Sequence, residues 1–375
     1  MKILFLFILI ISFCFSKDYN YLGNPYIKQY SNGEDIYARN IWDMQLFEGK
    51  IYLGAGNSSN KGPAQNAGRV YVVSLDPKTE KFEYEYKVAE EQIDIFKVYK
   101  NRLYIPGHDA TQKWTYGNIY KKENNTWQKY RTLANALHVY DIVEKDGKIF
   151  TAIGLKGKGA VFVSDLNAKT WQKIAQGKGR VYSFIEIENE IFATKTFQKK
   201  YPLKLNITQW LTNRETFSSR FDLNISRMFP NTKLDNTSVK IVKSTKLRSG
   251  SLYIGVKKHN DHQGKPFGLY FISKDLIIKK IQLHEDEIPR DILVRGENIF
   301  LLINTKNENI VYKIKEGQLN QKEEVIKFKY PSFARSFEKY KDCFYFGIGS
   351  EVENPDKWEI LELKKQTGDI IKVCK

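Results

Sequence analysis

Apolar and polar positions alternate along most of this chain in short bursts, and the bursts recur in a fixed order. An apolar stretch runs into a tight polar turn, and an aromatic or β-branched stretch then leads toward glycine. Four copies open on aspartate: Asp43-MQLFEGK-IYLGAG, Asp94-IFKVYKNR-LYIPG, Asp141-IVEKDGK-IFTAIG and Asp291-ILVRGEN-IFLLI. Three open on serine: Ser183-FIEIENE-IFAT, Ser244-TKLRSGS-LYIGV and Ser336-FEKYKDC-FYFGIG. In six copies the second stretch begins eight residues after the anchor, and only the Asp94 copy adds one. Alternating apolar residues bounded by Gly, Asn and Asp predict strands, and Asp146-Gly147 is a turn of the kind that closes a hairpin. No segment carries the pattern of a long amphipathic helix.

The anchors lie 51, 47, 42, 61, 47 and 45 residues apart. A period of roughly forty to fifty residues made of short strands is the signature of a β-propeller with one blade per repeat. The expected fold is therefore all-β and seven-bladed, one domain over 17–375. A six-bladed ring with an insertion around 197–247 is the alternative. The third repeat predicts strands over 140–144, 149–154, 160–164 and 170–175. Fourth strands elsewhere are KFEYEYKVA, TWQKYRTLA, IIKKIQLHE, EEVIKFKY and DIIKVCK, and the repeat around RETFSSRFDL is the weakest. The strand-like YIKQY of the leader is expected to close the ring beside DIIKVCK.

The first sixteen residues, MKILFLFILIISFCFS, read as a secretory signal peptide cleaved near Ser16-Lys17. The expected location is thus outside the cytoplasm, periplasmic or extracellular, with no membrane span in the mature chain. Export leaves Cys343 and Cys374 as a pair. Placing them on the second and fourth strands of one blade separates them by roughly 9–10 Å, beyond the about 7 Å a disulfide spans. Two free thiols are expected.

Blade geometry sends first-to-second and third-to-fourth turns to one face and all other connections to the opposite face. The first set is short, whereas the second is long and rich in polar groups, and long loops are kept where they serve a purpose. The candidate ligand-binding residues on that face are Asn57, Asn60, His108, Asp109, Trp114, Asn118, Arg131, His138 and Asp141. A tryptophan among amides, an arginine and carboxylates suits a sugar: a platform for C–H faces and planar hydrogen-bonding groups for hydroxyls. The recurring anchor aspartates also have a structural reading, capping backbone N–H groups or tying blade to blade. Asp141, flanked by His138 and Arg131, is the one to watch.

The 60 Lys and Arg against 43 Asp and Glu give a net charge of +17, which favours an anionic partner such as an acidic glycan or another cell-surface component. The lysines are scattered through turns, with no dense block calling for specific nucleic-acid binding. Five histidines make a poor metal complement, and the HNDH run at 259–262 sits in a loop without an evident third ligand. Nucleophile-elbow, P-loop and dinucleotide motifs are absent, so no cofactor is expected. Glu186, Glu188 and Glu190 alternate on one expected strand face and read as solvent-exposed.

The segment VSDLNAKTW at 163–171 is similar to the Asp-box of sialidase-type propellers, with Ser164 and Asp165 adjacent and Ala168 in place of glycine. At the level of blade pattern the chain resembles the broad β-propeller superfamily of kelch, galactose-oxidase-like and sialidase-like proteins. Kelch double-glycine and WD signatures are missing. The sialidase catalytic set finds no matching positions, so the resemblance implies the fold and no activity. The functional expectation is a monomeric propeller binding a glycan or other anionic surface ligand through its long-loop face. One alternative is a carbohydrate-active hydrolase or lyase with Asp141 and His138 as acid/base groups; the other is a protein-interaction scaffold.

Overall fold

A computed structural model describes residues 19–31, 33–58, 66–197, 206–234, 238–258, 265–351 and 365–375. These residues form seven antiparallel four-stranded sheets. The innermost strands neighbour one another around an axis, and the last lies against the first. The seven-bladed reading holds, and the six-bladed alternative does not. The doubtful fourth repeat is a full blade, with third and fourth strands Ile207–Leu211 and Thr216–Ser219.

Alternation explains the packing. In the third blade the strands Lys148–Leu155 and Lys158–Asp165 bury nearly every residue, while the outer strand Gln172–Lys178 is largely exposed. Middle strands lie between neighbouring sheets on both faces and read as continuous apolar runs, whereas outer strands face water on one side. Aromatic rings fill the space between blades, as in the edge-on contacts of Phe150 with Trp210 and of Phe300 with Phe344.

The ring closes differently from expectation. The leader does join the last blade, but through Asn20–Gly23 and not through YIKQY. It supplies the fourth strand, which makes Ile370–Cys374 the third. Cys374 therefore stands directly opposite Cys343 on the adjacent strand, with Cα atoms 4.1 Å apart, and the two form a disulfide. The expectation of free thiols is corrected: it assumed one strand too many between them. Asn24 fastens the closure further, donating to Thr367 O at 2.8 Å and Asp369 Oδ1 at 3.0 Å.

The Asp-box-like turn is structural. Asp165 accepts from Asn167 N, Ser164 Oγ donates to Thr170 O, and Ala168 takes the positive φ for which glycine is usual. Glu186, Glu188 and Glu190 do not share a strand face: Glu188 lies in the hairpin turn, and Glu186 and Glu190 accept from Tyr99 and Gln209 respectively. No described helix is long and apolar enough to cross a membrane.

Candidate functional site: the axial funnel

Each inner strand begins on the face bearing the interblade crossings. In five blades its pairing slips there by one residue, between Val139 and Asp141, Val181 and Ser183, Ile241 and Lys243, Pro289 and Asp291, and Ala334 and Ser336. A bulge of this kind re-aims the extra side chain. The skipped residues are Tyr140, Tyr182, Val242, Arg290 and Arg335, and all five line one cavity on the axis. Trp42 and Asp94 complete it from the first two blades. The cavity measures about 110 Å³. A sequence signal for these residues existed: Trp42, Tyr140, Tyr182, Arg290 and Arg335 each directly precede an anchor.

The residue after the funnel position has a different job. Asp43 Oδ2 accepts from Phe96 N, Asp141 Oδ2 from Phe184 N and Asp291 Oδ2 from Phe337 N, each in the following or neighbouring blade. Ser183 Oγ donates to Ile241 O and Ser336 Oγ to Ile41 O. Anchors tie blades together, as the structural reading holds. Asp94 does not belong to that set, since the extra residue in its repeat places it one step earlier, in the funnel. Beneath the cavity Lys243 of blade 5 crosses the axis, pairing with Asp43 at 2.8 Å and with Asp291. Burial, with Asp43 nearby, pushes Asp291 up to about 6 despite that lysine.

One wall carries an ion pair between His108 Nδ1 and Asp94 Oδ2 at 2.5 Å. Burial would lower the imidazole, but the carboxylates of Asp94 and Asp109 outweigh it and hold His108 above its ordinary value of 6.5. Tyr140 meets the His108 ring edge-on at 5.3 Å, and its hydroxyl accepts from Arg180 at 2.7 Å. Burial keeps that phenol well above 10.

Around Arg290 and Arg335, guanidinium and aromatic planes alternate. Arg290 lies 4.1 Å from the centre of Phe333, Arg335 lies 5.1 Å from Phe333, and Arg335 lies 4.2 Å from Trp42. Arg290 is paired with Glu351 and hydrogen-bonded to Asn304. Arg335 donates to Asn40 Oδ1 at 3.0 Å and Ser350 O at 2.6 Å; among the described residues no carboxylate is in ion-pair contact with it, and Glu351 and Asp94 act on it from farther off. Burial pulls it down to about 10, so it stays charged at neutral pH. Arg290 also lines a second recess of about 460 Å³ between blades 6 and 7, with Asn304, Asn307 and Ser332.

Lysines continue outward from the funnel. Lys156, Lys158, Lys178, Lys195 and Lys257 stand at strand ends or in turns on this face of blades 3 to 5. Lys195 Nζ donates to Lys178 O, and burial pulls it down to about 8. The connections here are not uniformly long: blade 3 has only Lys156-Gly157 between its second and third strands, and blade 6 has 305–308.

The nine residues proposed from sequence occupy several environments. His108 lines the funnel. His138 lies behind it, with its Nδ1 2.8 Å from His108 O and its ring stacked on Tyr140; burial and Arg180 pull it down to about 3. Asp109 is buried 3.6 Å from His138, pushed up to about 6 by burial. Asn118 is buried and donates to Glu90 Oε1 at 2.5 Å, and Asn57 is buried with its N–H on Glu91 O. Asp141 ties blades and pairs with Lys97 at 3.1 Å. Trp114 is 55 % exposed, with Nε1 donating to Ala110 O, and Arg131 donates to Lys113 O. Asn60 lies outside the described residues, as does the HNDH run.

No protein-family model matches the chain, and no curated protein matches its sequence. Solved structures do match in shape. The Streptogramin B lyase structure aligns over 90 % of this chain and 93 % of its own, with a TM-score of 0.55 at 12 % identity. The chain is a seven-bladed β-propeller. A protein from Lactobacillus plantarum aligns over 77 % of this propeller and 84 % of its own chain, with a TM-score of 0.51 at 9 % identity. The Niastella koreensis GH74 enzyme gives a TM-score of 0.54 at 11 % identity over 83 % of this propeller, which spans about half of that chain (51 %). At these identities the likeness concerns the fold alone.

Proposed function

We propose that this propeller binds an acidic saccharide, with the ligand's carboxylate or sulfate seated against Arg335 at the axial funnel. The carrying observation is Arg335 itself. It is a guanidinium half-buried in the wall, fixed by an amide and a carbonyl, stacked between two aromatic rings and, among the described residues, without a carboxylate in ion-pair contact. A charge taken out of water without a counter-ion in contact is costly. Glu351 and Asp94 act on Arg335 only from farther off, and a bound anion offsets the remaining cost while matching the planar fork. Trp42, Tyr140 and Tyr182 bring aromatic surface to the cavity lining, against which sugar C–H groups can pack. The lysines beyond the rim suit further acidic units of the same ligand. The disulfide between Cys343 and Cys374 supports an exported protein in an oxidising compartment.

The test is calorimetric titration with acidic and neutral oligosaccharides at two salt concentrations. Saccharides bearing carboxylate or sulfate are expected to bind at both, with Arg335→Ala weakening binding by about 100-fold, in line with losing one partner of a buried charged contact. Equal binding of neutral and acidic sugars, or an unchanged affinity in a folded Arg335→Ala protein, overturns the reading.

A further inference from the structure

We infer that the funnel cleaves its acidic ligand by β-elimination, with His108 as the base and Tyr140 as the proton donor to the leaving oxygen. This rests on the reading that an acidic saccharide binds there, and it assigns chemistry to groups that binding alone does not require.

Elimination next to a carboxylate needs three things in one place: a cation to quench the carboxylate, a base for the adjacent carbon, and an acid for the departing oxygen. Arg335, His108 and Tyr140 line the same cavity. His108 Nδ1 is held by Asp94, which orients the ring and leaves Nε2 without a protein partner among the described residues. A carboxylate fixing one imidazole nitrogen makes the other a better base. Tyr140 stands against His108, is protonated at neutral pH, and has its hydroxyl oxygen steadied by Arg180.

The step balances without water or a redox partner. His108 Nε2 takes the proton from the carbon bearing the carboxylate. That C–H electron pair becomes a carbon–carbon double bond to the next carbon, and the bond from that carbon to the glycosidic oxygen breaks. The oxygen leaves with the Tyr140 proton, and His108 returns its proton to the tyrosinate. The products are a shortened chain ending in a hydroxyl and an unsaturated uronate. Hydrolysis by paired carboxylates is disfavoured by the same geometry. Of the carboxylates lining the cavity, Asp43 is bound to Phe96 N and Lys243, and Asp94 to His108 and Gln92. Neither is left as a free acid or nucleophile.

The experiment incubates the purified protein with polygalacturonate, alginate and chondroitin sulfate, following ultraviolet absorbance of the conjugated product and chain length by mass spectrometry. Calorimetry on the same samples reports binding. The wild type is expected to build absorbance on one of these polymers. His108→Gln is expected to lower the rate at least 100-fold with binding retained, as is Tyr140→Phe, both folded by circular dichroism. The rate should rise with pH through a midpoint above 6.5, because His108 acts unprotonated. Binding without new absorbance or shortening on all three polymers overturns the elimination and leaves the binding reading standing. Shortening without absorbance indicates hydrolysis and also overturns it, as does a His108→Gln protein that keeps its rate. Failure to bind any of the three overturns both.

Discussion

Two carboxylates five residues apart on the first blade show how differently the two parts of this ring treat charge. Glu85, on the outer strand facing blade 2, is surrounded: Lys122, Ser74 Oγ at 2.8 Å, Trp127 Nε1 at 3.1 Å and Tyr52 OH at 3.1 Å all reach it. Burial alone would raise it, but those donors outweigh burial and bring it down to about 2. Glu90, at the crossing face, is fully buried with donors Asn118 and Tyr120 on one oxygen and none on the other. Burial pushes it up to about 7, and Glu91 beside it also rises to about 7 through burial and Asp109. The interior of the blade interface is balanced for stability. The face around the funnel carries charge that the fold leaves incompletely compensated, which is where function is expected to concentrate.

Breaking the balanced site should cost most. Glu85→Ala strands Lys122 in a buried setting, and chemical denaturation is expected to show a loss of about 3–4 kcal/mol. A loss below about 1 kcal/mol would mean the two sites are not distinct in kind. The poised site should behave in the opposite sense. Its folded-state value lies above the ordinary 4.5, so its contribution is full below pH 4.5 and is lost as pH rises toward about 7. Glu90→Gln is therefore expected to stabilise the protein by roughly 2 kcal/mol at pH 8 and to flatten the stability profile between those pH values. Thermal melts of both proteins across that range check it, and a destabilised Glu90→Gln protein at pH 8 would refute the contrast. Glu91 is less enclosed, so Glu91→Gln should move stability in the same direction by about 1 kcal/mol or less.

Much of the fold was legible because blades repeat a local event, a hairpin with fixed spacing, seven times. The strands of blade 3 were found to within a few residues from alternation and Asp146-Gly147 alone. What failed was non-local. Nothing near Asn20 announces pairing with Ile370–Cys374 across the whole chain, so the sequence pattern alone makes the third strand of the last blade look like its fourth and hides the disulfide. The funnel was partly legible. His108 was found because its loop was polar, whereas Arg290 and Arg335 sit inside strands where a register slip, invisible in composition, turns them inward. The ninth residue in the Asp94 repeat was the one overt sign that an anchor had left its register.

The bulges also separate two inheritances. In six blades one position lines the funnel and the next along the chain binds another blade; in blade 2 the next residue, Ile95, lines the cavity as well. Around the ring the funnel positions spell a seven-letter word, Trp, Asp, Tyr, Tyr, Val, Arg, Arg, written beside the contacts that hold the blades together. A ring built this way can acquire a new specificity one letter at a time while remaining the same ring.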